Sequence, residues 1–294
     1  MENKIRQPIA IQGIKGSFHH EAACRFFGED AGTEPCQSFK SLVESVASNR
    51  AAYGVMAVEN SLVGGMLPNF SMIREANLHV VGEVTMRIAQ HLLSLQEASI
   101  GHLREVHSHP MAIMQCEDFF LRHPGIRLVE SSDTALSAQI IARDRLYATG
   151  AIGSTQAATI YGLKVLAANI ETNKENFTRF WVLARTPLSV ENGVAVKASL
   201  AFVTSHRPGS LVEVLQPLAE AGVNLSMLQS LPMVGRSWEY IFHADMIFPD
   251  AAMAKQTIQN LSARLDRLWL MGIYPSDRAS SFQKNHSILR EIIE

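Results

Sequence analysis

The sequence predicts an α/β protein of two lobes followed by a smaller ferredoxin-like domain. Short apolar runs alternate with amphipathic segments up to residue 187, as strands and helices alternate in an α/β fold. The pattern restarts near Leu78, so we expect two lobes with a cleft between them. A linker rich in Pro, Ser, Asn and Gly, residues 187–194, then separates these lobes from segments in the order βαββαβ, which is typical of a ferredoxin-like domain.

The composition indicates an ordinary globular chain whose partner is a small molecule. The 294 residues are 47% hydrophobic and 18% charged, and the net charge of -2 comes without a basic tract. We therefore expect binding neither to nucleic acid nor to a membrane. Three cysteines without a C-x-x-C spacing predict reduced thiols, not a disulfide framework. The first sixteen residues lack the apolar stretch of a signal peptide, so we expect a cytoplasmic protein.

The first lobe begins with a strand, a loop and a helix. Strand 8–12 leads through a glycine-containing loop to helix 18–27, which Ser17 is placed to cap. The free N–H groups at such a helix start favour a small anion. The next predicted elements are a strand, a helix and a strand, at residues 33–37, 39–48 and 53–58.

A carboxylate, an amide and a hydroxyl follow the last of these strands, as Glu59, Asn60 and Ser61. Ligands of open α/β sheets bind outside the carboxyl ends of the strands. We therefore predict that these three side chains contribute to a binding site, in preference to the alternative that they only cap the next helix.

A histidine-rich turn marks the predicted second lobe. His107, Ser108 and His109 lie between strand 105–107 and helix 110–121. The two histidines suggest a metal, but no further ligand stands at a suitable spacing, so this is the weaker hypothesis. The alternative is that Ser108 caps the helix and His109 forms a polar wall, with Gln115 reaching back to the same cleft.

The chain then returns to the first lobe. After strand 127–130, helix 133–143, strand 148–152 and helix 154–161, it reaches an apolar strand at 180–183. Thr178 and Arg179 precede that strand, where a guanidinium could grip a carboxylate and a hydroxyl could donate or accept a hydrogen bond. We expect these two residues to line the cleft together with Ser17, Ser108 and the helix start at Ser154.

Five blocks in order give this chain a resemblance to bacterial prephenate dehydratases over nearly its whole length. The blocks are Gly16-Ser17-Phe18 with Ala22-Ala23, Glu59-Asn60-Ser61 with Gly64, Ser108-His109-Pro110 with Gln115-Cys116, Tyr161-Gly162-Leu163 with Val165-Leu166, and Asn176-x-Thr178-Arg179-Phe180. The resemblance implies a catalytic region of the type II periplasmic-binding-protein fold, with Thr178 essential and Asn60, Ser108 and Gln115 in the active site. The sequence departs from the family at Ala57, often proline, and at Thr172, often aspartate.

The segments after the linker resemble the ACT regulatory domain of this family, which binds an amino acid. This chain has Pro208-Gly209-Ser210-Leu211 and Gln229-Ser230-Leu231-Pro232 where relatives carry Pro-Gly-Ala-Leu and Glu-Ser-Arg-Pro. We expect phenylalanine to bind as an effector at a subunit interface of a homodimer or homotetramer. The predicted effector residues are Pro208, Gly209, Ser210, Leu211, Asn224, Leu225, Gln229 and Ser230.

The resemblance implies decarboxylating dehydration of prephenate to phenylpyruvate, which needs no cofactor and no metal. In this hypothesis Arg179 holds a substrate carboxylate and Thr178 donates a hydrogen bond to the leaving hydroxyl, unless Glu59 is a protonated acid. The further substrate-binding residues expected are Ser17, Ser61, His109, Ser154, Asn176 and Phe180. Two alternatives stay open: arogenate dehydratase, and a non-catalytic sensor of amino or keto acids.

The expected domain limits follow from these assignments. The catalytic region spans 1–187, with lobe one at about 1–80 plus 170–187 and lobe two at about 81–169. The ACT domain spans 195–276, and residues 277–294 form a tail.

Overall fold

Three β-sheets organise the chain. In a computed structural model, residues 7–191, 193–233 and 239–276 are described. The three sheets have six, five and four strands, and the first two mix parallel and antiparallel pairs. The prediction of an α/β fold is confirmed. The predicted tail lies outside the described residues.

The first sheet forms lobe one and has the strand order β2-β1-β3-β11-β5, with the short β4 beside β3. Its strands are β1 (Ile9–Gln12), β2 (Thr33–Cys36), β3 (Tyr53–Asn60), β4 (Gly64–Gly65), β5 (His79–Arg87) and β11 (Phe177–Ala184). Its helices are α1 (Phe18–Phe27), α2 (Phe39–Ala47) and α3 (Leu67–Glu75). Strand β11 runs antiparallel between β3 and the edge strand β5, so the segment that carries Thr178 is hydrogen-bonded to a strand on each side.

The second sheet forms lobe two in the order β10-β6-β9-β7-β8. Its strands are β6 (His91–Ser94), β7 (Glu105–Ser108), β8 (Arg127–Glu130), β9 (Thr149–Gly153) and β10 (Lys164–Ala167). Its helices are α4 (Pro110–Gln115), α5 (Glu117–Leu121), α6 (Thr134–Asp144) and α7 (Thr155–Tyr161). The single helix expected at 110–121 is therefore two helices, which meet at Cys116.

The boundary between the lobes differs from the expected one. Strand β5 pairs with β11 from Arg87 opposite Phe177 to His79 opposite Ala184 and so belongs to the first sheet. The apolar run after Leu78 has the same sequence pattern in either lobe, and only its long-range partner decides its place. The chain crosses to the second sheet after β5, not near residue 81.

The third sheet is antiparallel, with the order β13-β14-β12-β15. Its strands are β12 (Val196–Val203), β13 (Asn224–Pro232), β14 (Tyr240–Phe248) and β15 (Arg267–Pro275), and its helices are α8 (Ser210–Glu220) and α9 (Ala251–Ser262). This is the predicted βαββαβ order. Apolar residues of both helices pack with one face of the sheet in a single core.

The other face of the third sheet packs on the first sheet. Trp181 and Leu183 of β11 share one apolar core with Met271 and Tyr274 of β15. The strands approach so closely that a Cβ atom built on Gly272 would lie 2.0 Å from the carbonyl oxygen of Val80, so only glycine fits there. The first sheet therefore lies between the third sheet and the layer of helix α1.

No helix of the described residues is long and apolar enough to cross a membrane.

Candidate active site

Neighbouring residues of β11 face opposite sides of the first sheet. Phe180 and Val182 pack in the core beneath α1, while Trp181 and Leu183 pack in the core shared with the third sheet. This alternation follows from the two-residue period of a strand. Thr178 and Phe180 accordingly line a cleft of about 480 Å³, to which both lobes contribute.

The cleft floor carries a chain of side-chain hydrogen bonds. Asn60 uses both of its N–H groups, donating to Thr178 Oγ1 at 2.9 Å and to Asn176 Oδ1 at 2.7 Å. Asn176 Nδ2 in turn donates to Gln115 Oε1 at 3.0 Å. Three buried or half-buried amides thus connect Thr178 of lobe one to helix α4 of lobe two.

The direction of this chain is set by the backbone. Asn60 Oδ1 accepts the backbone N–H groups of Leu62 at 2.9 Å and Val63 at 3.2 Å. The oxygen of Asn60 must therefore face the turn after β3, and its nitrogen must face Thr178. Because the oxygen of Thr178 already accepts a hydrogen bond, its own O–H proton is available to a ligand.

The N-termini of three helices line the cleft. Among the cleft-lining residues in the described part of the chain, none is lysine or arginine. Ser17, Ser38 and Asp133, the N-caps of α1, α2 and α6, all line the cleft. The first N–H groups of a helix lack intrahelical partners and attract anions. The cleft can therefore bind a small anion without a cationic side chain.

His19 is a cleft residue that the sequence reasoning missed. Its Nε2 accepts the backbone N–H of Ala57 at 3.3 Å, and its ring meets that of Phe180 edge-on at 5.1 Å. Burial lowers the pKa of His19 to about 4. The imidazole is therefore neutral near pH 7 and acts as a wall that also fixes β3.

Asp133 places a carboxyl group in the same cleft. Its Oδ1 accepts the backbone N–H of Leu136 at 2.9 Å, which caps α6. Burial raises the pKa of this carboxyl, opposed by hydrogen bonds from the backbone of α6. Asp133 follows the carboxyl end of β8, and that position was the signal in the sequence for a site residue.

Gln90 is a second missed residue. It is buried, and its Nε2 donates to Gln115 Oε1 at 3.2 Å. Its Oε1 is buried without a hydrogen-bond partner among the described residues, although Gln90 lines the cleft. A buried acceptor of this kind is satisfied when a ligand donor reaches it.

The expectation that Arg179 and Glu59 line the cleft is wrong. Arg179 Nε donates to Glu59 Oε2 at 3.0 Å, and Arg179 Nη1 donates to Asp245 Oδ2 of β14 at 2.5 Å. Arg179 is 8% exposed, in the interface between the first and third sheets. The cause is strand alternation: with Thr178 and Asn60 facing the cleft, their neighbours must face the third sheet.

The predicted serines have different places. Ser17 caps α1 and lines the cleft. Ser108 is fully buried and donates to the carbonyl of Ile152 at 2.8 Å, so the cap of α4 is His109 and not Ser108. Ser154 donates to the carbonyl of Gly16 at 2.8 Å and so joins the two lobes. Only the first of these hydroxyls reaches the cleft.

The remaining polar residues predicted for the site also lie in different places. Ser61 donates to the carbonyl of Glu175 at 2.7 Å and is not one of the residues that line the cleft. His109 lines the cleft, whereas His107 pairs with Glu105 at 2.9 Å. Within the described ranges, no group of three or more His, Cys, Asp or Glu side chains is placed to hold a metal ion.

Two of the predicted effector residues lie on different sides of the third sheet. Gly209 has φ +85° and precedes α8, on the helical side of the third sheet. Gln229 instead packs beside Gly65 of lobe one. A Cβ atom built on Gly65 would lie 3.8 Å from the Cδ atom of Gln229. The grouping of these two residues in one effector site stays a prediction.

The fold and the cleft define the class: an α/β protein with a cleft between two lobes, lined by helix N-termini and by the side chain of Thr178. Residues 9–188 match the family described as prephenate dehydratase, and the chain belongs to that family. The predicted enzyme class, prephenate dehydratase, is thereby confirmed.

Curated relatives match most of the chain. A bifunctional chorismate mutase/prephenate dehydratase of Aquifex aeolicus is 32% identical, covering 94% of this chain and 75% of the relative. Arogenate dehydratase 2 of Petunia hybrida is 33% identical, covering 92% of this chain and 72% of the relative.

Solved structures share the whole arrangement. GqqA, described as a quorum quenching acylase, has a TM-score of 0.82 and 31% identity, covering 95% of this chain and all of its own. A prephenate dehydratase from Arthrobacter aurescens in complex with L-Phe has a TM-score of 0.80 and 25% identity, covering 93% of this chain and 91% of its own.

Proposed function

We propose that the chain converts prephenate to phenylpyruvate, carbon dioxide and water. The observation that carries this proposal is the Asn60–Thr178 hydrogen bond on the floor of a cleft surrounded by helix N-termini. In this cleft the Thr178 hydroxyl can donate a hydrogen bond to the leaving oxygen, and the helix dipoles can stabilise the two carboxylates of the substrate.

The reaction aromatises the ring of the substrate. When the bond to the ring carboxylate breaks, carbon dioxide leaves and the electron pair enters the ring. The C–O bond on the opposite carbon breaks at the same time, and the departing hydroxide takes up a proton supplied by the solvent to become water. Charge develops on the leaving oxygen, so a donor aimed at that oxygen lowers the barrier.

Thr178 is that donor in our proposal. Its oxygen accepts from Asn60 Nδ2, which directs its O–H proton toward the substrate. Threonine is too weak an acid to give up its proton, so it stabilises the departing hydroxide by hydrogen bonding and positioning. Glu59 has no part in this step because it faces the third sheet.

The carboxylates are held without Arg179. The N-termini of α1, α2 and α6 bring backbone donors to the cleft, and Gln115 adds a side-chain donor. Gln115 Oε1 accepts from Asn176 and from Gln90, so its nitrogen is the atom left to meet the substrate.

The proposal is tested by turnover of the purified chain on prephenate, followed through the appearance of phenylpyruvate. We expect turnover by the native chain and a rate lower by about 10²-fold or more for Thr178→Ala. Prephenate binding without turnover by the native chain would contradict the proposal and support the non-catalytic sensor.

Arogenate is the second candidate substrate, and Asp133 favours it. Arogenate carries an ammonium group where prephenate carries a keto group, and a carboxylate and the free Gln90 Oε1 suit an ammonium. The Petunia relative bears the name of this activity. Measuring kcat/KM on both substrates decides between them. A preference for arogenate that Asp133→Asn abolishes would establish the second candidate.

The similarity to GqqA raises acyl hydrolysis as a further activity to assay. An acylase requires a nucleophile beside a base. In the described part of the cleft, Thr178 bonds to Asn60 and Ser17 bonds to the backbone of His20, and neither hydroxyl bonds to a histidine ring. This arrangement supports the dehydratase over the acylase.

We further propose that the third sheet and its helices form an ACT domain that binds phenylalanine between two chains in the cytoplasm. The Arthrobacter relative contains L-Phe. Gly209 allows close approach of backbone to a ligand, and β13 is an edge strand that a second chain can cover. A homodimer is the minimum assembly for this site, and a homotetramer is two such pairs.

A further inference from the structure

The active-site pair Asn60–Thr178 has an outer counterpart. Thr178 lies opposite Asn60 and Arg179 lies opposite Glu59 in the register of β11 and β3. The inner pair meets in the cleft, and the outer pair meets on the side of the third sheet. A register shift follows directly after Arg179, so these two rungs form a local unit of the sheet.

The outer pair is held by the third sheet. Asp245 of β14 accepts from Arg179 Nη1 at 2.5 Å, and its other oxygen accepts from Ser199 Oγ of β12, also at 2.5 Å. Ser199 Oγ is also 2.7 Å from the hydroxyl of Tyr274. Asp245 is fully buried and has little freedom to move alone. The position of Arg179 therefore follows the position of the third sheet.

A second bridge joins the same two sheets. Lys197 Nζ of β12 donates to Glu83 Oε1 of β5 at 2.6 Å, and Glu83 Oε2 also accepts from Arg179 at 3.3 Å. Two cations thus meet three carboxylates in a buried cluster. Buried ion pairs are weak sources of stability, but separating them leaves a buried charge unpaired. Such a cluster favours one relative placement of the two sheets.

The surrounding interface is incompletely satisfied. Among the described residues, five buried side-chain atoms lack a hydrogen-bond partner, and four of them belong to Arg74, Trp181 and His243. Phe70 lies against both Trp181 and His243, each at 5.1 Å. All these residues lie between lobe one and the third sheet. Unpaired buried groups disfavour this placement, while the ion cluster favours it.

We propose that Asp245 is a positioning residue for Thr178: through Arg179 it sets the part of β11 that holds the catalytic hydroxyl, and so carries the state of the ferredoxin-like domain to the cleft. The effect passes along one peptide bond, because Arg179 and Thr178 are consecutive. The inference rests on the proposed dehydratase function.

The test compares two aspartates of the same domain. Asp245→Asn removes the charge that faces Arg179 and keeps the shape of the side chain. Asp250→Asn is the matched control, because Asp250 caps α9 and asparagine caps equally well. We expect Asp245→Asn to lower kcat by about 10- to 100-fold, the scale of a small misplacement of a catalytic group, with KM changed by less than about 3-fold. The control should match the native chain.

A measurement independent of activity separates this inference from the proposed function. Hydrogen exchange should rise in peptides covering β3 and β11 of Asp245→Asn and stay unchanged in lobe two. Ser199→Ala, which removes one hydrogen bond to Asp245 and no charge, should give a smaller change of the same kind if Asp245→Asn fails to fold. Native kcat and native exchange in folded Asp245→Asn would overturn the inference. Absence of turnover in the native chain would instead overturn the proposed function.

Discussion

The side-chain amide of Asn60 donates a hydrogen bond to the hydroxyl oxygen of Thr178 across 2.9 Å. Both side chains are buried. The side-chain amide of Asn60 cannot flip without losing its hydrogen bonds to the backbone of the following turn. The proton of the Thr178 hydroxyl is not used in its bond with Asn60 and is left for a ligand in the cleft that Thr178 lines. The proposed catalysis follows from this orientation.

Replacing Asn60 should remove the hydrogen bond that orients the Thr178 hydroxyl. Asn60→Asp removes the N–H that reaches Thr178 and adds a negative charge where an anionic substrate binds. We expect kcat/KM on prephenate to fall by about 10²-fold or more. Asn173→Asp is the matched control, because Asn173 is exposed and only its oxygen accepts a bond from the chain. Equal activity of the two variants would contradict the assigned orientation of Asn60.

Arg179→Lys should lower the stability of the folded chain more than its affinity for the substrate. A lysine cannot contact Glu59, Glu83 and Asp245 at once, so buried carboxylates lose donors. We expect the free energy of unfolding, measured by urea denaturation, to fall by about 1–3 kcal/mol. Arg207→Lys, at an exposed pair with Glu213, should leave it nearly unchanged. A raised KM for prephenate with an unchanged free energy of unfolding would show instead that Arg179 contacts the substrate.

Asp133 should make substrate affinity depend on pH. Burial raises the pKa of its carboxyl, so this group ionises above the ordinary range of aspartate. Once ionised it repels a substrate carboxylate, and KM for prephenate should rise as pH increases through that raised pKa. Asp133→Asn should remove the rise and retain kcat. If kcat falls instead, Asp133 is the acid that protonates the leaving hydroxide.

Gly272 tests the contact between the first and third sheets. Gly272→Ala places a methyl group against the carbonyl of Val80, so the strands must separate. We expect the free energy of unfolding to fall by about 1–3 kcal/mol, as for other overpacked sites. Gly125→Ala, where a Cβ atom meets nothing within 4 Å, should leave it within about 0.5 kcal/mol. Equal effects would show that the sheets do not pack as described.

The sequence predicted the features that depend on local pattern. The strands and helices follow hydrophobic periodicity, and the grouping of Asn60 with Thr178 follows from motifs at strand ends. The sequence did not predict which face of the first sheet Arg179 lies on, because a polar residue at the start of a strand is compatible with either face. The two-residue period of a strand places Thr178 and Arg179 on opposite faces, but only the packing of the third sheet decides which of the two faces is covered and which lines the cleft.

The missed residues have the same explanation. Gln90 stands in an apolar run and His19 stands inside a helix, so each has the pattern of a core or surface position. Only the meeting of the two lobes brings them to one cleft. Strand β5 was assigned to the wrong lobe because its partner β11 is about a hundred residues away in the chain.

The central claim is that the Thr178 hydroxyl assists departure of the ring hydroxyl. The direct test measures kcat and KM on prephenate for Thr178→Val, which keeps the shape of the side chain, beside Thr178→Ser, which keeps the hydroxyl. We predict that Thr178→Val lowers kcat by about 10²-fold or more with KM nearly unchanged, and that Thr178→Ser retains most of the turnover. A folded Thr178→Val protein with near-native kcat would contradict the account.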